Sequence, residues 1–66
     1  MDTGKAVYYV NQVEEGKSLN LDCGEWVDVE NTLRKAGEVS KAETAYWEKM
    51  RVLRRAEQSK NVNIQG

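Results

Sequence analysis

The residues best suited to chemistry in this chain do not form a catalytic set. The sequence contains no histidine, which excludes a histidine-based triad and an imidazole metal site. Cys23 is the only cysteine, has no candidate general base nearby in sequence, and is expected to behave as a small apolar residue. Gly16-Lys17-Ser18 matches the end of a phosphate-binding loop, but Asn11 stands where that motif requires glycine. We therefore predict a protein that is not an enzyme and uses no cofactor.

The acidic residues between positions 22 and 30 are candidate metal ligands by residue type. Their spacing matches no calcium-binding loop, and helix capping together with solvation accounts for them. No metal site is predicted.

Binding chemistry is better represented, in the segment from Ser40 to Lys60. Trp47 and Arg51 are four residues apart and Arg54 follows one helical turn later, so a helix would place them together on its polar face. Tryptophan and arginine are enriched at the energetic centres of protein interfaces, and cation–π contacts can hold them together. The predicted partner-binding residues are Trp47, Arg51, Arg54 and Arg55. In an alternative interpretation, Trp47 packs on the rest of the chain beneath arginine stems.

The same helix carries an apolar stripe on another face. Its members recur at intervals of three and four residues, as on a buried helical face: Ala42, Tyr46, Met50, Leu53 and Ala56. Lys49 interrupts the heptad spacing of this face. We call these five residues the apolar stripe, and we expect it to form either the core contact of the helix or a dimer contact.

The elements that would position these faces predict a mixed fold. Residues 5–13 are rich in β-branched and aromatic side chains, which indicates a strand. Residues 18–23 alternate between polar and apolar side chains, and Gly16 in the turn before them can adopt a positive φ angle. The two segments together predict a β-hairpin.

Two helices are expected to follow the hairpin. The first covers at least residues 29–36 and ends at Gly37, while Ser40 and Glu43 form a capping box that begins the second. Residues 23–29 fit either a third strand or an earlier helix start. The predicted fold class is therefore α+β in the order ββαα, as one domain over residues 1–58 with a disordered tail at 59–66.

Two further features of this first helix follow from its spacing. The helical alternative for residues 23–29 rests on Asp22 and Glu25, which have the spacing of a capping box. Glu30 and Arg34 have the spacing of a favourable ion pair along a helix.

Length and composition bear on assembly and location. Sixty-six residues with 39% apolar side chains and no phenylalanine make a thin core, so we expect a homodimer or a chain completed by its partner. No apolar run approaches the roughly 20 residues that a membrane span needs. A single cysteine fits a reducing compartment, which predicts a cytoplasmic protein without membrane association.

Charge is distributed unevenly along the chain and bears on the partner. Residues 1–48 carry a net charge of −5, whereas residues 49–66 carry +4. Our first hypothesis is a small regulatory protein that binds another protein as an inhibitor or adaptor. The alternative is a homodimeric DNA-binding regulator of the ribbon-helix-helix or helix-turn-helix type. Two features argue against DNA binding. In a ribbon reader, Asp22 would face the DNA phosphates and repel them. In a helix-turn-helix reader, the start of the last helix would contact DNA, but the arginines lie further along that helix.

Overall fold

Three α-helices make up the computed structural model of this protein, which describes the backbone of residues 1–65 and the side chains of residues 1–57. Helix α1 spans Thr3–Glu14, α2 spans Cys23–Lys35 and α3 spans Val39–Gln65. No strand occurs in this described backbone, so the α+β prediction with its ββαα order is wrong and the fold is all-α. The tail predicted at 59–66 falls outside the residues whose side chains are described and stays a prediction.

Helix α1 occupies the segment predicted as the first strand. Asp2 caps its beginning, with a carboxylate oxygen that accepts a hydrogen bond from the Lys5 amide at 3.1 Å. Ala6 and Val10, one helical turn apart, are fully buried. The β-branched and aromatic residues therefore form a helix because one helical face can be buried against the other two helices, and burial outweighs a weak strand preference.

Gly16 adopts a positive φ angle of 89°, as expected, but it ends a helix instead of forming a hairpin turn. Its amide donates to the Val13 carbonyl at 2.9 Å, and the Lys17 amide donates to the Gln12 carbonyl at 3.0 Å. These two bonds form a Schellman motif, which satisfies the last carbonyls of α1.

The predicted second strand, residues 18–23, is also wrong. Residues 17–22 form an irregular connection, because α1 supplies no strand for this segment to pair with. Leu19 and Leu21 nevertheless point inward and pack against the core while partly buried.

Helix α2 begins at Cys23, so residues 23–29 are the start of this helix and not a third strand. The Glu25 amide donates to the Asp22 carboxylate at 2.8 Å, and the Asp22 amide donates to the Glu25 carboxylate at 3.3 Å, forming the capping box. Its end is confirmed at Gly37, which has a φ of 80°. The amides of Gly37 and Glu38 donate to the carbonyls of Arg34 and Leu33, which forms a second Schellman motif.

Helix α3 starts one residue before the predicted capping box. The Ala42 amide donates to the Glu38 carbonyl at 2.9 Å, so Ser40 lies inside the helix and does not cap it. The capping-box prediction for Ser40 and Glu43 is wrong because the turn at Gly37 returns the chain to helical geometry by Val39.

The core between the helices is small. Its buried residues come from all three helices and include three alanines: Ala6, Val10, Trp26, Val29, Leu33, Ala42 and Ala45. Trp26 is the largest of them and is 1% exposed. Alanine at three of these positions permits close approach of the helices, and Trp26 supplies much of the buried apolar volume.

Candidate functional site

The face of α3 that meets α1 and α2 is defined by small and half-buried residues. Ala42 and Ala45 are fully buried, Val52 packs against the core, and Lys49 lies between them at helical spacing. With about 100° per residue, the centre of this face lies about 60° around the helix axis from the centre of the apolar stripe. The outward surface of α3 therefore differs from the one that hydrophobicity alone indicates.

The five residues of the apolar stripe are consequently divided between core and surface. Ala42 lies in the core, Tyr46 and Met50 are half-buried, Leu53 is 37% exposed and Ala56 is exposed. The end of the stripe that contains Leu53 and Ala56 is thus open to solvent.

An ion-pair cluster explains why Lys49 occupies the inner face. The Lys49 ammonium lies 3.2 Å from one Glu30 carboxylate oxygen, and the Arg34 guanidinium lies 2.8 Å from the other. Glu30 is the one charged residue buried among the described side chains. The predicted pairing of Glu30 with Arg34 is confirmed. Lys49 also lies over the Tyr46 ring, 4.6 Å from its centroid, in cation–π geometry.

Electrostatics keep the Glu30 carboxyl ionised in this cluster. Burial acts to raise its pKa, but hydrogen bonds from Arg34 and Lys49 and their positive charges act in the opposite direction. The pKa of Glu30 is therefore lowered from its ordinary value. The cluster is a structural contact between α2 and α3, because both partners of Glu30 lie on these two helices.

Trp47 lies on the outward surface of α3. Its side chain is 65% exposed and contacts the Tyr46 ring edge-to-face, with centroids 5.2 Å apart. The alternative in which Trp47 packs on the rest of the chain does not hold for a side chain with this exposure.

The three predicted arginines are all exposed but do not all share the surroundings of Trp47. Arg51 lies 3.5 Å from Glu48 in an ion pair along the helix. Arg54 lies on the same outward side of α3 as Trp47, two turns further along. Arg55 instead lines a groove, together with Arg51. Trp47 and Arg54 thus share the outward side of α3, whereas Arg51 and Arg55 both line the groove.

This groove, of about 470 Å³, runs between α3 and the connection that precedes α2. Asp22 and Glu25 lie on one side and Arg51 and Arg55 on the other, with Leu21 among the lining residues. The sequence pattern does not reveal this groove, because residues 18–23 have the alternation of a strand.

Four residues on the outward side of α3 form a continuous face, in which Met50 is half-buried and the other three are exposed: Glu43, Trp47, Met50 and Arg54. Their spacing of four, three and four residues confines them to a sector of about 60° around the helix axis. We call this set the outer face. Sequence reasoning missed Met50, which was placed on the apolar stripe, and Glu43, which was assigned to a cap. The heptad spacing of the four residues was the signal that could have identified them.

Other kinds of site are not found in the part of the chain that the structure describes. No group of three or more Cys, Asp or Glu side chains there is arranged to hold a metal ion. No helix there combines the length and the apolar character needed to cross a bilayer.

Comparison with known proteins gives no match: no protein-family model fits the chain, and no curated protein or solved structure is significantly similar to it.

Proposed function

We propose that this protein is a small, non-enzymatic cytoplasmic regulator that binds a protein partner, as an inhibitor or adaptor, through the surface of α3 around Trp47, Arg51 and Arg54. The observation that carries the proposal is the exposure of Trp47, at 65%, on a helix whose opposite side packs against α1 and α2. An isolated exposed apolar residue is unremarkable, but a tryptophan followed by arginines one and two turns along the same helix has the residue types of an interface centre.

The energy available at Trp47 is large enough to anchor a complex. A tryptophan has roughly 250 Å² of surface, so about 160 Å² of this side chain remains to be buried, which corresponds to about 4 kcal/mol at 25 cal/mol per Å². Part of this gain is offset by the entropy lost on association. The side chain is held against Tyr46, which limits its freedom before binding.

The chemistry of the surface indicates which kind of partner would fit it. A helix that presents an indole followed by arginines one and two turns further along fits a groove with an apolar pocket rimmed by carboxylates. Arg54 makes no ion pair within the described side chains, so its charge is available to such a rim. Cys23 is a free thiol, which fits action in the reducing cytoplasm.

The DNA-binding alternative receives less support. A ribbon-helix-helix reader needs paired strands, and the described backbone contains none. A helix-turn-helix reader would use the start of α3, where Lys41 is held by Asn11 at 2.7 Å and by Glu14 at 3.4 Å. Glu43, exposed near the same end, would repel phosphates.

The experiment compares partner capture by three immobilised proteins: the wild type, Trp47→Ala and Tyr8→Ala. Tyr8 is a matched control, because it is an aromatic side chain with 57% exposure that lies on α1. We expect a protein retained by the wild type and by Tyr8→Ala to be lost with Trp47→Ala, while all three unfold at similar urea concentrations.

Two results would contradict the proposal. One is equal capture by Trp47→Ala and the wild type. The other is polarisation titration showing tight, steeply salt-dependent binding to random duplex DNA, which would favour the alternative.

A further inference from the structure

We infer that the outer face of α3 binds a second copy of this chain, in an antiparallel helix pair whose two-fold axis lies between Trp47 and Met50. The inference rests on the proposed function, because it names an occupant of the same surface. An external partner would then compete with self-association for Trp47.

The spacing of the outer face is that of a helix–helix contact. Glu43, Trp47, Met50 and Arg54 follow the alternating three- and four-residue intervals of a coiled-coil seam. The face points away from the bundle, since Ala42, the first residue of the inner face, is fully buried.

The order of residues along this face is self-complementary. In an antiparallel pair centred between Trp47 and Met50, positions whose numbers add to 97 lie opposite each other. Trp47 of one copy then faces Met50 of the other, and Glu43 faces Arg54. Each contact occurs twice because a two-fold interface is isologous. The result is an apolar centre with an opposite-charge pair at each end.

Other arrangements of the same two helices are less favourable. A parallel pair in register places Glu43 on Glu43 and Arg54 on Arg54, which brings like charges together. Sliding the antiparallel pair by one heptad in one direction brings Trp47 opposite Glu57 and Met50 opposite Arg54. Sliding it by one heptad in the other direction brings Trp47 opposite Glu43. One antiparallel register therefore pairs apolar with apolar and acid with base.

Neither charged residue is paired with another described side chain of its own chain. Glu43 and Arg54 are both exposed, and the salt bridges among the described side chains include neither of them. Glu30 and Glu14, by contrast, are paired with lysines. The charges of the outer face are therefore available to a second copy.

The length of the contact limits its strength. From position 40 to position 57 the face is about 27 Å long, so the pair buries less area than the roughly 1,200 Å² at the lower end of stable interfaces. We expect a dissociation constant on the order of 10–100 μM. Such a dimer would form at high local concentration and would yield to a tighter partner.

Charge-reversal variants of the full chain test this arrangement in sedimentation equilibrium. Glu43→Arg places arginine opposite Arg54 twice, and Arg54→Glu places glutamate opposite Glu43 twice. Each variant alone is expected to associate at least about tenfold more weakly than the wild type. The double variant, and an equimolar mixture of the two single variants, restore both opposite-charge pairs and are expected to regain wild-type association. Both positions are exposed and both new residues favour helix, so similar urea midpoints check that folding is unchanged.

A wild type that stays monomeric to about 1 mM would overturn the inference, given the affinity range expected for an interface of this size. So would single variants that associate normally, or a double variant that fails to recover. If self-association fails but Trp47→Ala still loses a captured partner, the proposed function stands without it. If the charge variants behave as expected but Trp47→Ala retains every captured protein, the proposed function fails and the dimer remains.

Discussion

Replacing Lys49 by methionine is expected to destabilise the protein, although the residue lies on the inner, largely apolar face of α3. The reason is Glu30, which is 8% exposed and has two cationic partners. Removing every partner of a buried charge costs about 3–5 kcal/mol. Because Arg34 remains 2.8 Å from the carboxylate, we expect Lys49→Met to cost about 1–2 kcal/mol.

Two further variants determine whether the Glu30–Lys49 contact is responsible. Arg34→Met is the matched control: the Arg34 side chain is 50% exposed, compared with 19% for Lys49, so its loss should cost less. The double variant Glu30→Met/Lys49→Met replaces the pair by apolar side chains and is expected to be at least as stable as Lys49→Met alone. Adding Glu30→Met completes a double-mutant cycle that gives the coupling energy.

Urea unfolding followed by far-ultraviolet circular dichroism measures these changes. With a slope of about 1 kcal/mol per molar urea for a domain of this size, the midpoint of Lys49→Met should fall by about 1–2 M. An unchanged or higher midpoint, together with additive effects in the cycle, would refute the assignment of Lys49 to the inner face.

Two more predictions concern the pKa of Glu30 and the backbone conformation of Gly37. The folded state holds the pKa of Glu30 below its ordinary value, so the stability contributed by Glu30 is present above the pKa of the unfolded chain and is lost as pH falls through the folded value. Urea midpoints at a series of acidic pH values should therefore fall less steeply for Glu30→Gln than for the wild type. Gly37→Ala should lower the thermal midpoint by about 4–8 °C, or about 1 kcal/mol, because alanine is strained at a φ of 80°. Gly24→Ala, at a helical position with ordinary φ, is the control and should not lower it.

For α1 and the turn that follows it, sequence reasoning predicted the wrong secondary structure. In α1, Ala6, Val10 and Val13 have helical spacing, and Asp2 is a suitable cap, yet the same segment is rich in strand-favouring residues. Gly16 does not distinguish a helix from a strand in this segment, because a hairpin turn and a Schellman motif both use a residue with a positive φ angle. The choice depended on burial against α2 and α3, which local sequence does not contain.

From the start of α2 onward the chain was more predictable because its signals were local. The Asp22–Glu25 capping box, the Glu30–Arg34 pair and the glycine cap at Gly37 each involve residues within a few positions of one another. The Ser40–Glu43 box had equally good spacing and was wrong, since the turn had already set the start of α3. Local patterns thus identified these elements without always fixing their boundaries.

The candidate site depended on a contact between distant residues. Hydrophobicity ranks Met50 and Leu53 above Lys49 as inner-face residues of α3. The structure places Lys49 on the inner face and leaves Leu53 37% exposed, because Glu30 on α2 provides a buried partner for Lys49 and the alanines allow close packing. The resulting rotation of about 60° turns the Met50 side of α3 outward, toward Trp47. The contact that fixes the packing of α3 on α2 therefore also determines which residues form the outer face, and this connects the core of the protein to its proposed binding surface.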